Sequence, residues 1–421
     1  MKHSERITQV KIWGRTAGYA WWDRKEMCAV FEYDPKFADD GTEIAPLTMP
    51  LSTRPYRFRS LSRETFQGLP GMLSDSLPDA YGSTLIDRWI AQNNIDRSEF
   101  TPLDRLCYIG RRGMGALEYE PAAGDGYDGA IDVNKLSDLA AEVLRQRDGM
   151  RTDASPEGIH KLLSVGTSAG GARAKAVIGM SVAGDIRSGQ TELPEGYSHW
   201  LIKFDTEPSG AEKRGYCRIE HAYYEMAKEC GIDMTECRLL ETDDKAHFIT
   251  RRFDRTGKEK AHIQTLCALA HFDFKVPGKH SYEEMMQMMR HLRMPYPDLE
   301  QTFRRMVFNV IMRNNDDHTK NFSFILRENG EWRTAPAYDV TYAYDPANYW
   351  IQRHQMSVCG KTREITRKDI MRVAHDAGIR GAADITDTVL STAAEWTSYA
   401  RSSGVPERMT ERIDKALLKD V

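Results

Sequence analysis

The chain has 421 residues, of which 41% are hydrophobic and 29% charged, and its formal net charge is −4 at pH 7. This length allows two or three domains, and the slight acidic excess argues against a protein whose main task is to coat nucleic acid. The 7 cysteines include no CxxC pair, which favours reduced thiols over a disulfide framework or a zinc site. Because we find no apolar signal core and no apolar run that could span a bilayer, we expect a cytoplasmic protein without a membrane partner.

The first 120 residues are predicted to be mostly β-structure with one helix. Alternating apolar residues indicate extended segments. These segments lie at 7–13, 19–22, 28–33 and 113–119. The helix is predicted around Leu85, Ile86 and Trp89. A stretch rich in glycine and other helix breakers at 121–129 indicates a linker, so we expect an N-terminal β-rich subdomain at residues 1–125.

The remainder of the chain changes from mixed structure to mainly helical structure. A helix is predicted near 133–146, where apolar residues share one face. Further strands and a helix are predicted at 199–204, 248–254 and 218–230. From about 262 the pattern is helical, and an apolar stripe between Phe303 and Ile311 ends just before a polar loop. We therefore expect an α+β fold with a small lobe at 126–255 and a helical lobe at 256–421.

The polar loop reads Asn314-Asn315-Asp316-Asp317-His318-Thr319-Lys320-Asn321, and Asp339 follows it. An acid, four residues, an asparagine and a later acid is the spacing of a protein-kinase active site, in which the first acid accepts the proton of the attacking hydroxyl. The asparagine and the later acid hold Mg²⁺ there. Lys320 could offset charge on the transferred group, and His318 is either a packing group or one that orients the acid. A polar turn and a metallohydrolase site are alternatives, although no further ligand spacing completes the latter.

A hairpin is expected to return Asp339 to this loop. The sequence predicts a strand at 322–326, a turn at 327–330 and a returning strand at 332–334. A hairpin of that length would bring Asp339 beside Asn321, and their oxygens could then share a magnesium ion.

Segments further upstream carry the other groups that ATP would need. Glycines among small residues at 164–175 would let backbone N–H groups approach phosphate oxygens, although a plain flexible loop is an equal interpretation. Lys203 ends an apolar strand and Glu220 lies on a predicted helix, which repeats the pair that positions phosphates in kinases. A surface lysine on an edge strand is the alternative. The strand that ends at 254 falls where a kinase hinge would bind adenine.

In this order the motifs resemble those of the HipA family of toxin-type serine/threonine kinases, over nearly the whole chain. Segments 68–79 and 113–117 are similar to the N-terminal subdomain of that family. The kinase part is similar at 168–175, at the strand ending in Lys203, and at 252–255, 316–323 and 338–340. The resemblance implies a two-lobed, kinase-like fold with a β-rich N-terminal subdomain.

The same resemblance implies roles for individual residues. Asp316 would be the catalytic base with Lys320 beside it, and Asn321 and Asp339 would be the magnesium ligands. The residues implied at ATP are Lys203, Glu220, Gly170, Gly171, Ala172, Arg251, Phe253 and Asp254. Autophosphorylation is implied at Ser168, with Thr167 as the alternative acceptor, and a phosphoserine in a phosphate-binding loop would repel ATP.

The resemblance also implies partners. They are ATP and Mg²⁺, a protein substrate that is possibly an aminoacyl-tRNA synthetase, and a small HipB-like helix-turn-helix antitoxin that would mediate any contact with DNA. A small-molecule phosphotransferase and a catalytically idle corepressor are the rival interpretations.

Two positions depart from the family pattern. Asp317 replaces a small residue and is expected either to raise the pKa of the base or to point to solvent, and Arg251 stands where some members have an acidic hinge residue.

Overall fold

The computed structural model describes residues 6–78, 80–122, 129–147, 173–190, 192–207, 214–242 and 245–421. The chain forms two compact units. The first contains the described residues among 1–208, 240–263 and 327–330, and the second contains those among 209–239, 264–326 and 331–421. The predicted α+β class is confirmed. None of the described helices combines the length and the apolar character that crossing a membrane requires.

The N-terminal part forms a five-stranded antiparallel sheet in the order β4-β3-β2-β1-β5. Its strands are β1 (Ile7–Ile12), β2 (Arg15–Asp23), β3 (Cys28–Tyr33), β4 (Tyr56–Arg57) and β5 (Leu117–Glu120). The helices of this region are α1 (Pro35–Asp39), α2 (Arg63–Phe66), α3 (Gly71–Ser74), α4 (Ala80–Gln92) and α5 (Pro102–Ile109). Trp13 and Gly14 join β1 to β2 with φ angles of 49° and 73°, and positive φ at both positions is what a type I′ hairpin turn requires.

The last strand of this sheet is shorter than predicted. The sequence indicates a strand at 113–119, but β5 begins at Leu117. Gly115 has a φ of 76°, and its backbone N–H donates a 2.8 Å hydrogen bond to Oδ2 of Asp254. The strand ladder begins after this glycine because a side chain uses the glycine's N–H and because its φ lies outside the β region.

The second sheet also has five strands, in the order β7-β6-β8-β10-β9. They are β6 (Lys175–Ser181), β7 (Ile186–Ser188), β8 (Tyr197–Lys203), β9 (Cys237–Thr242) and β10 (Lys245–Arg251). One face packs against α4 and α6 (Val133–Arg147) in one core, to which Ile202, Ile249, Leu85 and Leu136 all belong. Helix α4 precedes residue 125 and the sheet follows it, so this core joins two segments that were predicted as separate domains. The predicted three-domain division stays a prediction.

The second unit is mainly helical. Its helices are α7 (Tyr216–Glu229), α8 (Leu266–Ala270), α9 (Tyr282–His291), α10 (Tyr296–Ile311), α11 (Arg367–Ala377), α12 (Ala382–Ala394), α13 (Trp396–Ser402) and α14 (Glu407–Ala416). Short strands complete the C-terminal half, namely β11 (Arg255–Thr256), β12 (Glu259–Lys260), β13 (His262–Thr265), β14 (His280–Ser281), β15 (Ser323–Leu326), β16 (Trp332–Thr334) and β17 (Met356–Ser357). The predicted stripe of α10, from Phe303 to Ile311, is buried, which fixes this helix in the core and with it the loop that follows.

Helix α7 belongs to the second unit, although the sequence assigns it to the small lobe at 126–255. Its Tyr223 explains the difference. The ring lies edge-on, 5.5 Å from Trp396 of α13 and 6.1 Å from Phe308 of α10. The hydroxyl donates a 2.8 Å hydrogen bond to the carbonyl of Met312. Tertiary packing of this aromatic residue, rather than its place in the chain, decides where the helix belongs.

Candidate active site

The polar loop predicted as the catalytic element begins directly at the end of α10. Arg313 adopts a φ of 55°, and its carbonyl accepts a 3.0 Å hydrogen bond from the N–H of Ala343. The N–H of Asn315 donates a 3.1 Å bond to the carbonyl of Ala343. These two bonds tie the loop to the segment after Asp339, so the position of Asp316 is set by a buried helix on one side and a backbone bridge on the other.

Asp316 is the accessible acid of this loop. Its side chain is 49% exposed, and Oδ1 lies 3.9 Å from Nε2 of His318. The His318 ring in turn lies 5.2 Å from the ring of Phe274. An accessible carboxylate can accept a proton from an incoming hydroxyl, provided that the hydroxyl approaches within hydrogen-bond distance. The distance to the acid is too long for a hydrogen bond, so the packing and orienting interpretations of His318 both stay predictions.

Asp317, the next residue, has no exposed side-chain surface and does not point to solvent. Its Oδ2 accepts hydrogen bonds from the hydroxyl of Tyr282 at 2.7 Å and from Nδ1 of His354 at 2.9 Å. Its Oδ1 accepts a 2.7 Å bond from the backbone N–H of Gln355. Burial raises the pKa of Tyr282 well above its ordinary value, and the charge of Asp317 adds to this rise. The solvent alternative is therefore wrong: Asp317 links the loop to α9 and to residues 354–355.

We expect Asp317→Asn to lower the free energy of unfolding by about 1–3 kcal/mol, because an amide keeps the volume but presents an N–H₂ group to a site built around three donors. Urea unfolding measures this change. Asp376→Asn is the matched control, because that side chain is 58% exposed and its replacement should stay within about 0.5 kcal/mol of the wild type. Equal unfolding curves for wild type and Asp317→Asn would remove the structural role.

Asn321 is bonded to the backbone of Asp316. Its Nδ2 donates a 2.7 Å hydrogen bond to the backbone carbonyl of Asp316, and its own N–H donates a 2.8 Å bond to the carbonyl of His318. A carbonyl oxygen only accepts, so the first contact identifies the N–H₂ end of the Asn321 amide. Its Oδ1 is then the atom left to bind a cation.

Asp339 returns to this loop through the predicted hairpin. Strands β15 and β16 pair with Phe324 opposite Thr334 and Leu326 opposite Trp332, and the Tyr338 hydroxyl donates a 2.7 Å hydrogen bond to the carbonyl of Lys320. Asp339 has a φ of 52°, a left-handed conformation that aspartate and asparagine tolerate better than most residues. The hairpin and this tyrosine bring Asp339 back to the loop.

Asn321 and Asp339 line one recess together with Asn314. The Nδ2 of Asn314 donates to Asn309 at 2.9 Å, whereas its buried Oδ1 has no hydrogen-bond partner among the described residues. The recess therefore offers carboxylate and amide oxygens, which are the donors that Mg²⁺ prefers when it is held by one or two protein groups together with phosphate and water. The residues present fit a magnesium ion.

Lys320 lies beside the acid but is directed to an aromatic ring. Its Nζ is 5.1 Å from the ring centroid of Phe274, a cation–π distance. The expectation that Lys320 offsets charge on the transferred group stays a prediction.

In the first unit, β6, β8 and β10 place three side chains in one row. Lys175 is the cross-strand partner of Lys203, and Lys203 is the partner of Phe248. Opposed residues share a face, and the neighbouring Ile202 belongs to the core with α4 and α6, so the lysines lie on the other face. They are 2% and 6% exposed. Two lysine side chains on one face provide cationic donors that suit an anion with several oxygens.

Asp254 is buried and makes several hydrogen bonds within the first unit. It is 1% exposed. Its Oδ1 accepts a 2.8 Å bond from Nε of Arg252, and its Oδ2 accepts bonds from Arg252, Arg255 and the Gly115 N–H at 2.6–2.8 Å. Burial alone would raise its pKa, but the two guanidinium groups and these hydrogen bonds outweigh burial and hold the pKa well below the usual range. Both oxygens are therefore engaged inside the protein, and the assignment of Asp254 to the nucleotide stays a prediction.

The other predicted site residues are in separate places. Arg251 ends β10 opposite Trp200, and Phe253 follows it; their contact with adenine stays a prediction. Glu220 is 2% exposed on α7 in the second unit, and its pairing with Lys203 of the first unit also stays a prediction. Ser168, Thr167, Gly170, Gly171 and Ala172 lie outside the described residues.

Sequence reasoning missed two functional candidates. Lys175 stands at the end of the glycine-rich motif, and a signal was present, since a lysine begins an apolar strand there. Its pairing with Lys203 depends on strand register, which one sequence does not supply. Tyr282 gave no signal, because its contact with Asp317 spans 35 residues of the chain.

Comparison with known proteins places the chain in a family. The model of the HipA N-terminal domain matches residues 8–120, and the model of the HipA-like C-terminal domain matches residues 167–415. A protein of Haemophilus influenzae named "Putative kinase" is 30% identical over 148 residues, which are 32% of this chain and 43% of that protein. "Putative kinase Y4dM" of Sinorhizobium fredii is 26% identical over 157 residues, which are 34% and 36% of the two chains. The matched region thus spans less than half of these relatives.

A solved structure covers nearly the full length. The HipA chain in the complex of the Shewanella oneidensis MR-1 toxin–antitoxin proteins HipA and HipB with operator DNA has a TM-score of 0.66 to this chain, at 14% identity, covering 97% of this chain and 95% of that one. At this identity the likeness shows the fold, and it confirms the predicted α+β class. The two domain models together cover most of the sequence. The chain belongs to the HipA family.

Proposed function

We propose that the protein is an ATP- and magnesium-dependent serine/threonine protein kinase of the HipA toxin type. The observation that carries the proposal is the arrangement of one loop and one hairpin in the second unit. An accessible Asp316 is bonded through its carbonyl to Asn321, and Asn321 shares a recess with Asp339. The kinase names of two relatives also support it.

Asp316 acts as the general base in this mechanism. A serine or threonine hydroxyl of the acceptor approaches the exposed carboxylate, which takes its proton while the hydroxyl oxygen forms a bond to the γ-phosphorus of ATP. The bond from that phosphorus to the bridging oxygen breaks, and ADP leaves with the electron pair. His318 lies 3.9 Å from the carboxylate and restricts its orientation, while Lys320 contributes positive charge near the acceptor side.

Other residues bind the nucleotide. Asn321 and Asp339 would hold the magnesium ion, which when bound would neutralise charge on the ATP phosphates. Lys203 and Lys175, which are cross-strand partners on one face of the second sheet, hold phosphate oxygens through charge-assisted hydrogen bonds. Glu220 orients Lys203, and Arg251 and Phe253 contact the base. Gly170, Gly171 and Ala172 cover the phosphates.

Regulation and partners follow from the family. Ser168, or Thr167 in its place, accepts a phosphoryl group from the same active site, and the added negative charge opposes ATP binding. A HipB-like helix-turn-helix antitoxin binds the protein and makes any contact with DNA. The proposal of this partner is supported by the structurally similar HipA of Shewanella oneidensis MR-1, which was solved with HipB and operator DNA. The acceptor is a cytoplasmic protein, and the resemblance to the HipA family implies an aminoacyl-tRNA synthetase.

Intact-protein mass spectrometry with an Asp339→Asn variant tests this function. After phosphatase treatment and then ATP with Mg²⁺, the wild type should gain one phosphoryl group, which maps to Ser168 or Thr167. Asp339→Asn should gain none and should bind ATP with Mg²⁺ about 10- to 100-fold more weakly by calorimetry, since even outer-shell partners of a metal are worth this much. Asparagine suits the left-handed backbone of this position, so the variant isolates the lost carboxylate.

The result that contradicts the proposal is a wild type that binds no ATP in the presence of Mg²⁺. ATP binding followed by transfer to metabolites, with no phosphate on protein, would instead establish a small-molecule phosphotransferase. Binding of an antitoxin without ATP binding would establish an idle corepressor.

A further inference from the structure

The segment that follows Asp339 is fixed to the catalytic loop on both sides of Asp316. On one side, Nδ2 of Asn315 donates a 3.1 Å hydrogen bond to the carbonyl of Ile351. On the other side, buried Asp317 accepts bonds from His354 and from the N–H of Gln355. The two neighbours of the base therefore hold residues 351–355 in place, and any side chain carried just before that stretch has a fixed position relative to Asp316.

Exposed aromatic side chains stand at the start of this stretch. Tyr349 is 54% exposed and Trp350 is 44% exposed, and their ring centroids are 5.2 Å apart. Val276 is 45% exposed as well, so three of the seven large hydrophobic side chains that are exposed among the described residues lie in segments 272–276 and 349–350. Exposed aromatic residues held near a reactive group are typical of sites that bind another protein.

A continuous series of contacts joins these rings to the base. Lys275 Nζ lies 5.9 Å from the Trp350 ring and 5.4 Å from the Phe274 ring. Phe274 contacts His318, which lies beside Asp316. A polypeptide that reaches Asp316 with its hydroxyl can therefore continue along Phe274 and Lys275 to Trp350.

Two cations of this region, Arg353 and Lys320, lie over aromatic rings. Arg353 lies 5.6 Å from the Tyr349 ring, and Lys320 lies 5.1 Å from Phe274. Within the described part of the chain, no carboxylate lies within ion-pair distance of Arg353 or Lys320. The carboxylate of Asp345 is directed elsewhere, to the N–H of Ala347 and to Arg412. Rings rather than carboxylates accompany these cations, so an acidic occupant would complement them.

The ring geometry favours a polypeptide over a nucleic acid. The planes of Tyr349 and Trp350 stand 81° apart, so they present no parallel faces for successive bases. Arg353 and Lys275 already lie over the Tyr349 and Trp350 rings. Single-stranded nucleic acids bind mainly by stacking bases on open ring faces, which this arrangement does not offer.

We propose that Phe274, Lys275, Tyr349, Trp350 and Arg353 form a docking surface for an acidic segment of the acceptor protein, next to the hydroxyl that is phosphorylated. The inference rests on the kinase function proposed above and specifies its substrate class. Trp350 and Tyr349 supply the apolar contact, Lys275 lies between the Phe274 and Trp350 rings, and Arg353 supplies charge that selects acidic side chains.

Fluorescence anisotropy tests the docking surface with two labelled peptides. One carries a serine flanked by aspartates and glutamates, and the other carries the same serine flanked by lysines. The wild type should bind the acidic peptide more tightly than the basic one. Arg353→Glu and Trp350→Ala should each weaken acidic-peptide binding about 10-fold or more, the size expected for a charged or aromatic anchor. Arg372→Glu, a 74% exposed cation on α11, should leave binding unchanged.

Each outcome decides one point. Equal binding of the two peptides, or unchanged binding in both surface variants, overturns the docking surface, as does tighter binding of a labelled single-stranded RNA than of the acidic peptide. Calorimetry with ATP and Mg²⁺ on the same wild-type sample separates the two proposals. ATP binding without peptide preference removes only the docking surface, and absence of ATP binding removes the kinase function itself. Thermal unfolding of both variants confirms that they are folded.

Discussion

Asp316→Asn should lower the rate of phosphoryl transfer about 10²- to 10⁴-fold, the usual contribution of a positioned general base. Asparagine has the shape of aspartate but does not accept the proton of the attacking hydroxyl. The substitution leaves the backbone carbonyl of Asp316 in place, and this carbonyl holds Asn321. The position is 49% exposed, so we expect the free energy of unfolding to stay within about 0.5 kcal/mol of the wild type. Single-turnover transfer measured by intact mass checks the rate.

A carboxylate elsewhere in the chain supplies the control for this prediction. Asp376→Asn removes another half-exposed carboxylate, on α11, and should leave the transfer rate unchanged. ATP affinity should be retained in Asp316→Asn, because the proposed nucleotide groups are Lys203, Lys175, Asn321 and Asp339. Full transfer activity in Asp316→Asn would show that another group accepts the proton.

Asp254→Ala should lower the free energy of unfolding by about 3–5 kcal/mol, the cost of leaving buried charges without their partner. The side chains of Arg252 and Arg255 are only 3% and 7% exposed, so water does not replace the lost carboxylate. The carboxylate also accepts the N–H of Gly115, and its removal leaves that donor unpaired. The loss should appear in urea unfolding at pH 7.

Asp138→Ala is the matched control for this charge effect. Asp138 also pairs with a cation at 2.7 Å, namely Lys245, but its side chain is 73% exposed. Exposed ion pairs contribute about 0–1 kcal/mol. A loss in Asp254→Ala no larger than in Asp138→Ala would mean that the buried pair adds nothing beyond a surface pair.

The cost of Asp254→Ala should depend on pH. The pKa of Asp254 is lowered in the folded protein, so its stabilising effect is present above the unfolded-state pKa of about 3.9 and is lost as the pH falls towards the lower folded-state pKa. The difference between wild type and variant should therefore be constant from about pH 5 to 7 and shrink below about pH 4. Unfolding curves at pH 7 and pH 3 measure it, and a difference that grows on acidification contradicts the assigned direction.

The catalytic loop and the hairpin could be predicted from the sequence because their determinants are local. Asp316 and Asn321 lie five positions apart in one loop. The paired strands β15 and β16 return Asp339 to that loop. The end of α10 was also predictable, since five apolar positions on one face stop just before the loop. Such patterns require only the period of a helix or the length of a hairpin.

The role of Asp254 could not be predicted in this way. The sequence indicated the motif at 252–255 and the glycine segment at 113–117 separately. It did not indicate their contact, because 139 positions separate Asp254 from Gly115, whose N–H donates to the Asp254 carboxylate. A carboxylate beside two arginines in a sequence has the same pattern whether it contacts ligand or protein. Only the three-dimensional contact shows that both of its oxygens are used inside the fold.

The sequence by itself determined the class of fold, the family, and the acids and amide of the candidate site, because each depends on residue types at short, fixed spacing. The tertiary structure decided that Asp316 is exposed while Asp317 beside it is buried, that α7 packs with the helical unit, and that Lys175 lies opposite Lys203. These facts depend on strand register and on side-chain contacts between residues far apart in the chain, and packing in three dimensions sets both.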